Sequence, residues 1–121
     1  MIPNAYKEIF DKLSEKTSRG EVDWKPTSSE STFIVNFTGF SLSMTYGRNV
    51  LEQTKYVQFI IRDSEGMKVD SFTITHKEPI WDTAHSLFYK ARQQALKIDK
   101  AIAVISEELD IPKKVGAKEE K

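Results

Sequence analysis

Apolar residues recur every three or four positions near the start of the chain. Placed at helical steps they fall within an arc of about 100°, and the members of this row are Tyr6, Ile9, Phe10, Leu13 and Thr17. The spacing predicts an amphipathic helix over residues 4–19. We expect Asn4 to be its N-cap and Gly20 to be the left-handed residue at its end.

Strict alternation of apolar and polar residues then replaces the helical spacing. It predicts four strands, at residues 32–37, 40–46, 55–62 and 67–75. The links at Thr38-Gly39 and Asp63–Gly66 are short and contain glycine, which is typical of hairpins. The link from Gly47 to Thr54 is predicted to be a polar loop.

Two further features concern the ends of this strand region. Val22 and Trp24 alternate with polar residues, so a short additional strand is expected before the loop that follows Pro26. In the last strand the apolar phase shifts between Val69 and Phe72, which predicts a β-bulge that would let both side chains face the core.

Helical spacing returns after Pro79 and predicts two more helices. The first covers residues 80–96, and its apolar surface spans about 200°, twice what a helix on a sheet needs. The second follows a corner at residues 97–99, with Asp99 expected as its N-cap and Pro112 as its stop. Its apolar stripe consists of Ile98, Ala101, Ile102, Ile105 and Leu109.

The predicted fold class is therefore α+β in two layers. The order α-β-β-β-β-α-α, with short polar links, favours an antiparallel β-meander of four to five strands covered on one face by the helices. We expect residues 1–111 to form a single domain and residues 112–121 to form a charged, disordered tail.

Composition narrows the classes of function. The 18 basic and 18 acidic residues give a formal net charge of zero, which disfavours a duplex nucleic acid or an anionic membrane as a partner. The absence of cysteine excludes disulfides, thiolate zinc sites and cysteine nucleophiles. No window is apolar enough for a membrane span or a signal peptide. We expect a cytoplasmic protein with no membrane contact.

Candidate chemistry is sparse. His76, Glu78, Asp82 and His85 lie close together in sequence, but their spacing does not match the i, i+4 pattern of a two-ligand helical metal site. We predict no catalytic, cofactor-binding or metal-binding residues, and no small-molecule ligand. A small hydrolase that uses His85 and Asp82 ranks last among the alternatives.

One face of the predicted sheet is rich in polar side chains. Opposite Leu42 and Phe59 the alternation places Ser41, Ser43, Thr45, Gln58, Ile60 and Arg62. Such a surface resembles a polar ligand platform, although any solvated sheet face has a similar composition. We favour the solvated face.

The helix at residues 80–96 carries a more specific signal. Its extended apolar flank holds Trp81, His85, Tyr89 and Arg92, and aromatic residues and arginine are favoured at protein interfaces. We expect this flank to pack either on the N-terminal helix or on another subunit. It is the candidate interface for a protein partner or a homodimer.

Several short motifs resemble a loose group of short bacterial proteins with no assigned activity. The motifs are Leu13–Thr17 with Gly20 and Trp24, the turn at Asp63–Gly66, the segment Val69–Phe72, and the helix segments Leu87–Arg92 and Ala95–Ala101. The resemblance implies the same order of elements and a bacterial cytoplasmic setting. In that group a glycine usually stands where this chain has Lys97.

The function expected from the sequence is a non-catalytic domain that binds another protein or itself. The alternative is a nucleic-acid accessory protein. It would need its positive charges gathered on one edge, for which the candidates are Arg48, Lys55, Arg62 and Lys68.

Overall fold

The computed structural model describes residues 1–112 and 114–116 of the chain. Within them the elements are α1 (Asn4–Ser18), β1 (Lys25–Pro26), β2 (Thr32–Phe37), β3 (Phe40–Asn49), β4 (Thr54–Asp63), β5 (Lys68–Thr75), α2 (Trp81–Ala95) and α3 (Ile98–Leu109). The predicted α+β order is confirmed. Much of the predicted tail, residue 113 and residues 117–121, lies outside the described residues.

The five strands form one antiparallel meander in the order β1-β2-β3-β4-β5. Gly39 and Gly66 occupy the turns with φ values of 79° and 83°, a conformation that favours glycine. The predicted loop after Tyr46 is shorter than expected, because β3 continues to Asn49. The short strand expected at Val22 and Trp24 begins one residue after Trp24, at Lys25. The side chain of Trp24 is buried.

The bulge predicted in β5 is present, since the register with β4 shifts between Ile61 and Arg62. Ile61 pairs with Asp70 and Arg62 pairs with Lys68, which leaves Val69 as the extra residue. Its side chain is 55% exposed, so the expectation that it faces the core is wrong. The bulge restores the phase of Phe72 but does not bury Val69.

The core lies between one face of the sheet and two helices. Leu42, Phe59 and Leu87 are buried in the same cluster, as their central positions in the apolar rows predict. Phe10 of α1 meets the ring of Phe59 edge-on at 6.0 Å, and Phe72 stacks on Phe59 at 4.8 Å. The N-terminal helix thus contributes directly to the packing of the central strands.

The two ends of α1 differ in how well the sequence predicted them. Gly20 has a φ of 72° and donates its N–H to the carbonyl of Thr17, while Glu21 donates to Lys16. These bonds form a Schellman motif, so the predicted glycine end is confirmed. Pro3, not Asn4, occupies the N-cap, because Asn4 already has helical geometry and proline presets the entry conformation.

The outer edge of the sheet at β5 is occupied by hydrogen bonds from the chain itself. Asp70 accepts from the N–H of Ser71, the N-terminal ammonium donates to the carbonyl of Thr73, and Glu78 accepts from the N–H of Thr75 at 2.9 Å. Backbone groups engaged in this way are not free to pair with a strand of another molecule. This edge is therefore an unsuitable surface for strand addition.

The first prediction concerns the core. Because Leu42 is only 6% exposed and central in the cluster, Leu42→Ala should lower the free energy of unfolding by about 2–5 kcal/mol. Ser41→Ala, on the opposite face of the same strand, is the control and should change it by less than about 0.5 kcal/mol. Chemical denaturation measures both. Equal effects of the two changes would contradict the assignment of the sheet faces.

The second prediction concerns pH. The hydroxyl of Tyr6 donates to Asp70 at 2.6 Å; this hydrogen bond lowers the pKa of Asp70 and raises the pKa of Tyr6. The bond therefore stabilises the fold at neutral pH. Its contribution is lost as the pH falls through the lowered pKa of Asp70, and also as the pH rises through the raised pKa of Tyr6.

Tyr6→Phe keeps the stacking ring but removes the donor. Denaturation midpoints of the variant should therefore fall less steeply than those of the unmodified chain at both pH extremes. The same pH profile in both proteins would show that the bond does not contribute to stability.

Candidate functional site

Among the three described helices, α3 has the most exposed apolar surface. None of its residues is buried, and among the described elements it approaches only α2. The expectation that all three helices cover the sheet is therefore wrong for α3. The inner face of the sheet is already closed by α1 and α2, so the predicted apolar stripe of α3 has no counterpart on that face within residues 1–112 and 114–116.

The stripe itself is narrow and regular. Ile98, Ile102, Ile105 and Leu109 are spaced by four, three and four residues and fall within an arc of about 60°. Ile98 is partly buried, whereas Ile102, Ile105 and Leu109 are 56%, 58% and 61% exposed. We call these four residues the α3 row. A row this narrow is typical of a helix that packs against one other helix.

Lys97 determines how the chain enters α3. It has φ 55° and ψ 44°, the left-handed conformation, and it occupies the N-cap position without a side-chain hydrogen bond. Asp99 is already inside the first turn, so its prediction as the N-cap is wrong. A left-handed residue ends one helix and redirects the chain into the next. Lysine tolerates this conformation less well than glycine does.

The predicted interface residues on α2 form an aromatic row along one flank of that helix. The ring centroids of Trp81 and His85 are 5.3 Å apart, and those of His85 and Tyr89 are 4.7 Å apart. Trp81 and His85 are partly buried, and Tyr89 is 44% exposed. Arg92 lies one turn further along the same flank and is partly buried. The structure therefore brings the three aromatic rings together and places Arg92 on the same flank of α2.

The aromatic row is covered by the sheet rather than by α1. Tyr46 of β3 lies 6.3 Å from Trp81 and 5.8 Å from His85 between ring centroids. The helix α1 lies against a different flank of α2, where Lys90 and Gln94 donate to Ser18 and Thr17. Of the two covers expected for this flank, the N-terminal helix or another subunit, the first is wrong for Trp81, which packs against Tyr46; only the Tyr89 end of the row remains open.

The polar face of the sheet is less exposed than expected. Ser43 is buried between its cross-strand neighbours Ile34 and Ile60. Thr45 bonds to Thr32 at 2.8 Å, so these hydroxyls satisfy each other. The remaining members of the predicted platform are all partly buried: Ser41, Gln58, Ile60 and Arg62. This face offers a mixed surface in which some hydroxyls are already engaged.

The four basic residues expected on one edge are divided between two ends of the sheet. Arg48 pairs with Lys55 at the end where β3 meets β4, and Arg62 pairs with Lys68 at the opposite end of β4. A strand rises about 3.4 Å per residue, so seven positions separate the two pairs by roughly 24 Å. The expectation of a single basic edge is wrong.

Two of the four histidines and carboxylates singled out in the sequence, His76 and Glu78, are engaged in local hydrogen bonds. His76 accepts the N–H of Lys55 at Nδ1, at 3.0 Å, and so continues the pairing of β4 and β5. Partial burial alone would raise the pKa of Glu78, but hydrogen bonds from Thr75 and the N-terminal ammonium lower it overall. Within the described residues no three His, Asp or Glu side chains gather as metal ligands.

A third prediction follows from the placement of the two tryptophans. Trp24 is buried, with its Nε1–H donating to Thr17 at 3.0 Å, whereas Trp81 is partly exposed. Acrylamide should therefore quench Trp81 more strongly. Trp81→Phe should reduce the quenching constant of the protein, and the matched change Trp24→Phe should increase it. The reverse order would contradict the structure of the α2 flank.

Comparison with known proteins identifies no relative of this chain. The chain shows no significant match to a protein-family model, a curated protein or a solved structure. Within the described part of the chain, no helix has both the length and the apolar composition needed to cross a membrane. What the protein does must therefore be inferred from its own side chains and their contacts.

Proposed function

We propose that this chain is a non-catalytic domain that acts by binding another protein through the α3 row. The observation that carries the proposal is the exposure of Ile102, Ile105 and Leu109 on a helix that has no buried residue. Contiguous apolar side chains are costly in water and mark interaction surfaces. A protein partner would remove these side chains from solvent.

The open end of the aromatic row supports the same proposal. Tyr89 is 44% exposed on the flank of α2, and Leu96 at the end of that flank has the same exposure. Tyrosine and arginine are favoured at interfaces, and Arg92 lies between these two residues. The lack of cysteine further favours a reducing compartment such as the cytoplasm for this protein.

The fourth prediction tests the function with two matched variants. Ile105→Glu places a carboxylate in the α3 row, whereas Ala103→Glu places one about 160° from Ile105 and about 130° from the centre of the row on the same helix. A partner retained by the unmodified chain from a lysate of the native host should also be retained by Ala103→Glu. It should be lost with Ile105→Glu, because an unpaired charge cannot be buried cheaply.

Circular dichroism should show that both variants are folded, since α3 supplies no side chain to the core. Retention of the same proteins by all three chains would overturn the proposal that the α3 row is the binding surface.

A further inference from the structure

We infer that the partner of the α3 row is the α3 row of a second copy, packed antiparallel in a symmetric dimer. The inference rests on the proposed function and specifies the partner. Three properties of the helix carry it: the order of its apolar residues, the distribution of its charges, and the small side chains beside the row.

The intervals between the apolar residues of the α3 row, four, three and four residues, are the same when counted from either end of the helix. A two-fold axis between Ala103 and Val104 sets Ile98 opposite Leu109 of the second copy and Ile102 opposite Ile105. Each pair occurs twice by symmetry, as an isologous interface requires. In heptad terms Ile98 and Ile105 take position d, while Ile102 and Leu109 take position a, so every layer joins an a to a d residue. The row is therefore self-complementary when the helices run in opposite directions.

Charge determines the orientation. The C-terminal end of α3 and its cap carry three carboxylates, Glu107, Glu108 and Asp110, whereas the N-terminal end carries two ammonium groups, Lys97 and Lys100, and one carboxylate, Asp99. A parallel pair would bring six carboxylates together at one end. An antiparallel pair sets each acidic end beside the basic end of the other copy, and it also opposes the two helix dipoles favourably.

The residues that flank the row permit close approach. In the antiparallel register Ala101 lies beside Glu108 of the second copy, and Asp99 lies beside Ser106. Neither flank places like charges opposite each other. Because each helix has only 12 residues, the interface is small, and we expect a dissociation constant on the order of 10–100 μM.

The fifth prediction concerns this association. Sedimentation equilibrium of the full chain should show a monomer–dimer equilibrium. Ile105→Glu should weaken it at least about tenfold, since it buries two carboxylates per dimer, and Ala103→Glu should leave it unchanged. A monomer at every concentration, or a dimer that Ile105→Glu does not weaken, would overturn the inference.

Orientation is tested by crosslinking, for which a chain without cysteine is well suited. Ala101→Cys and Glu108→Cys each introduce a single thiol. Mixed under oxidising conditions, the two variants should form a disulfide between them about tenfold faster than either forms one with itself. Faster linkage of like variants would indicate parallel helices and would contradict the inference.

The outcomes separate the two proposals. If the chain is monomeric but Ile105→Glu still loses a partner that Ala103→Glu retains, the second copy is excluded and the binding function stands. If Ile105→Glu alters neither self-association nor capture, both proposals fail.

Discussion

The inner face of a single sheet can be buried only once, and in this protein α1 and α2 together bury it. Phe10 of α1 packs on the central strands, and Leu87 and Phe88 of α2 complete the cluster. The Schellman motif at Gly20 and the bond from Trp24 to Thr17 fix the end of α1 against this layer. Once α1 and α2 close this face, its apolar side chains are no longer available to α3.

The position of α3 follows from this constraint and from the backbone at Lys97. A left-handed residue there separates α3 from α2, so the α3 row projects apolar side chains that the domain does not need for its core. The cost of exposing them is offset if another molecule covers them. Tyr46 already covers much of the aromatic row on α2. The α3 row is not covered in this way, so we favour it over the aromatic row as the interface.

Local patterns were sufficient to predict most elements but not what each element contacts. Alternation gave the strands and their faces, and Gly39 and Gly66 marked turns that need positive φ. Amphipathicity predicted α3 but could not tell whether its partner is the same chain, because a partner outside the chain produces the same pattern. Trp81, His85 and Tyr89 are neighbours on one flank of α2, as their spacing predicts, while their role as an interface stays a prediction. The N-cap at Asp99 was wrong because the preceding Lys97 takes a conformation that lysine rarely adopts.

The central claim is that the α3 row is exposed in the free chain and covered when the chain associates. Methyl NMR with a soluble paramagnetic agent measures this directly. In dilute protein the methyl groups of Ile102, Ile105 and Leu109 should relax strongly, while those of the buried Ile74 should not. Protection of the three should increase with protein concentration. Methyl groups of the row that are as well shielded as Ile74 in the most dilute sample would contradict the account, because α3 would then pack on its own chain.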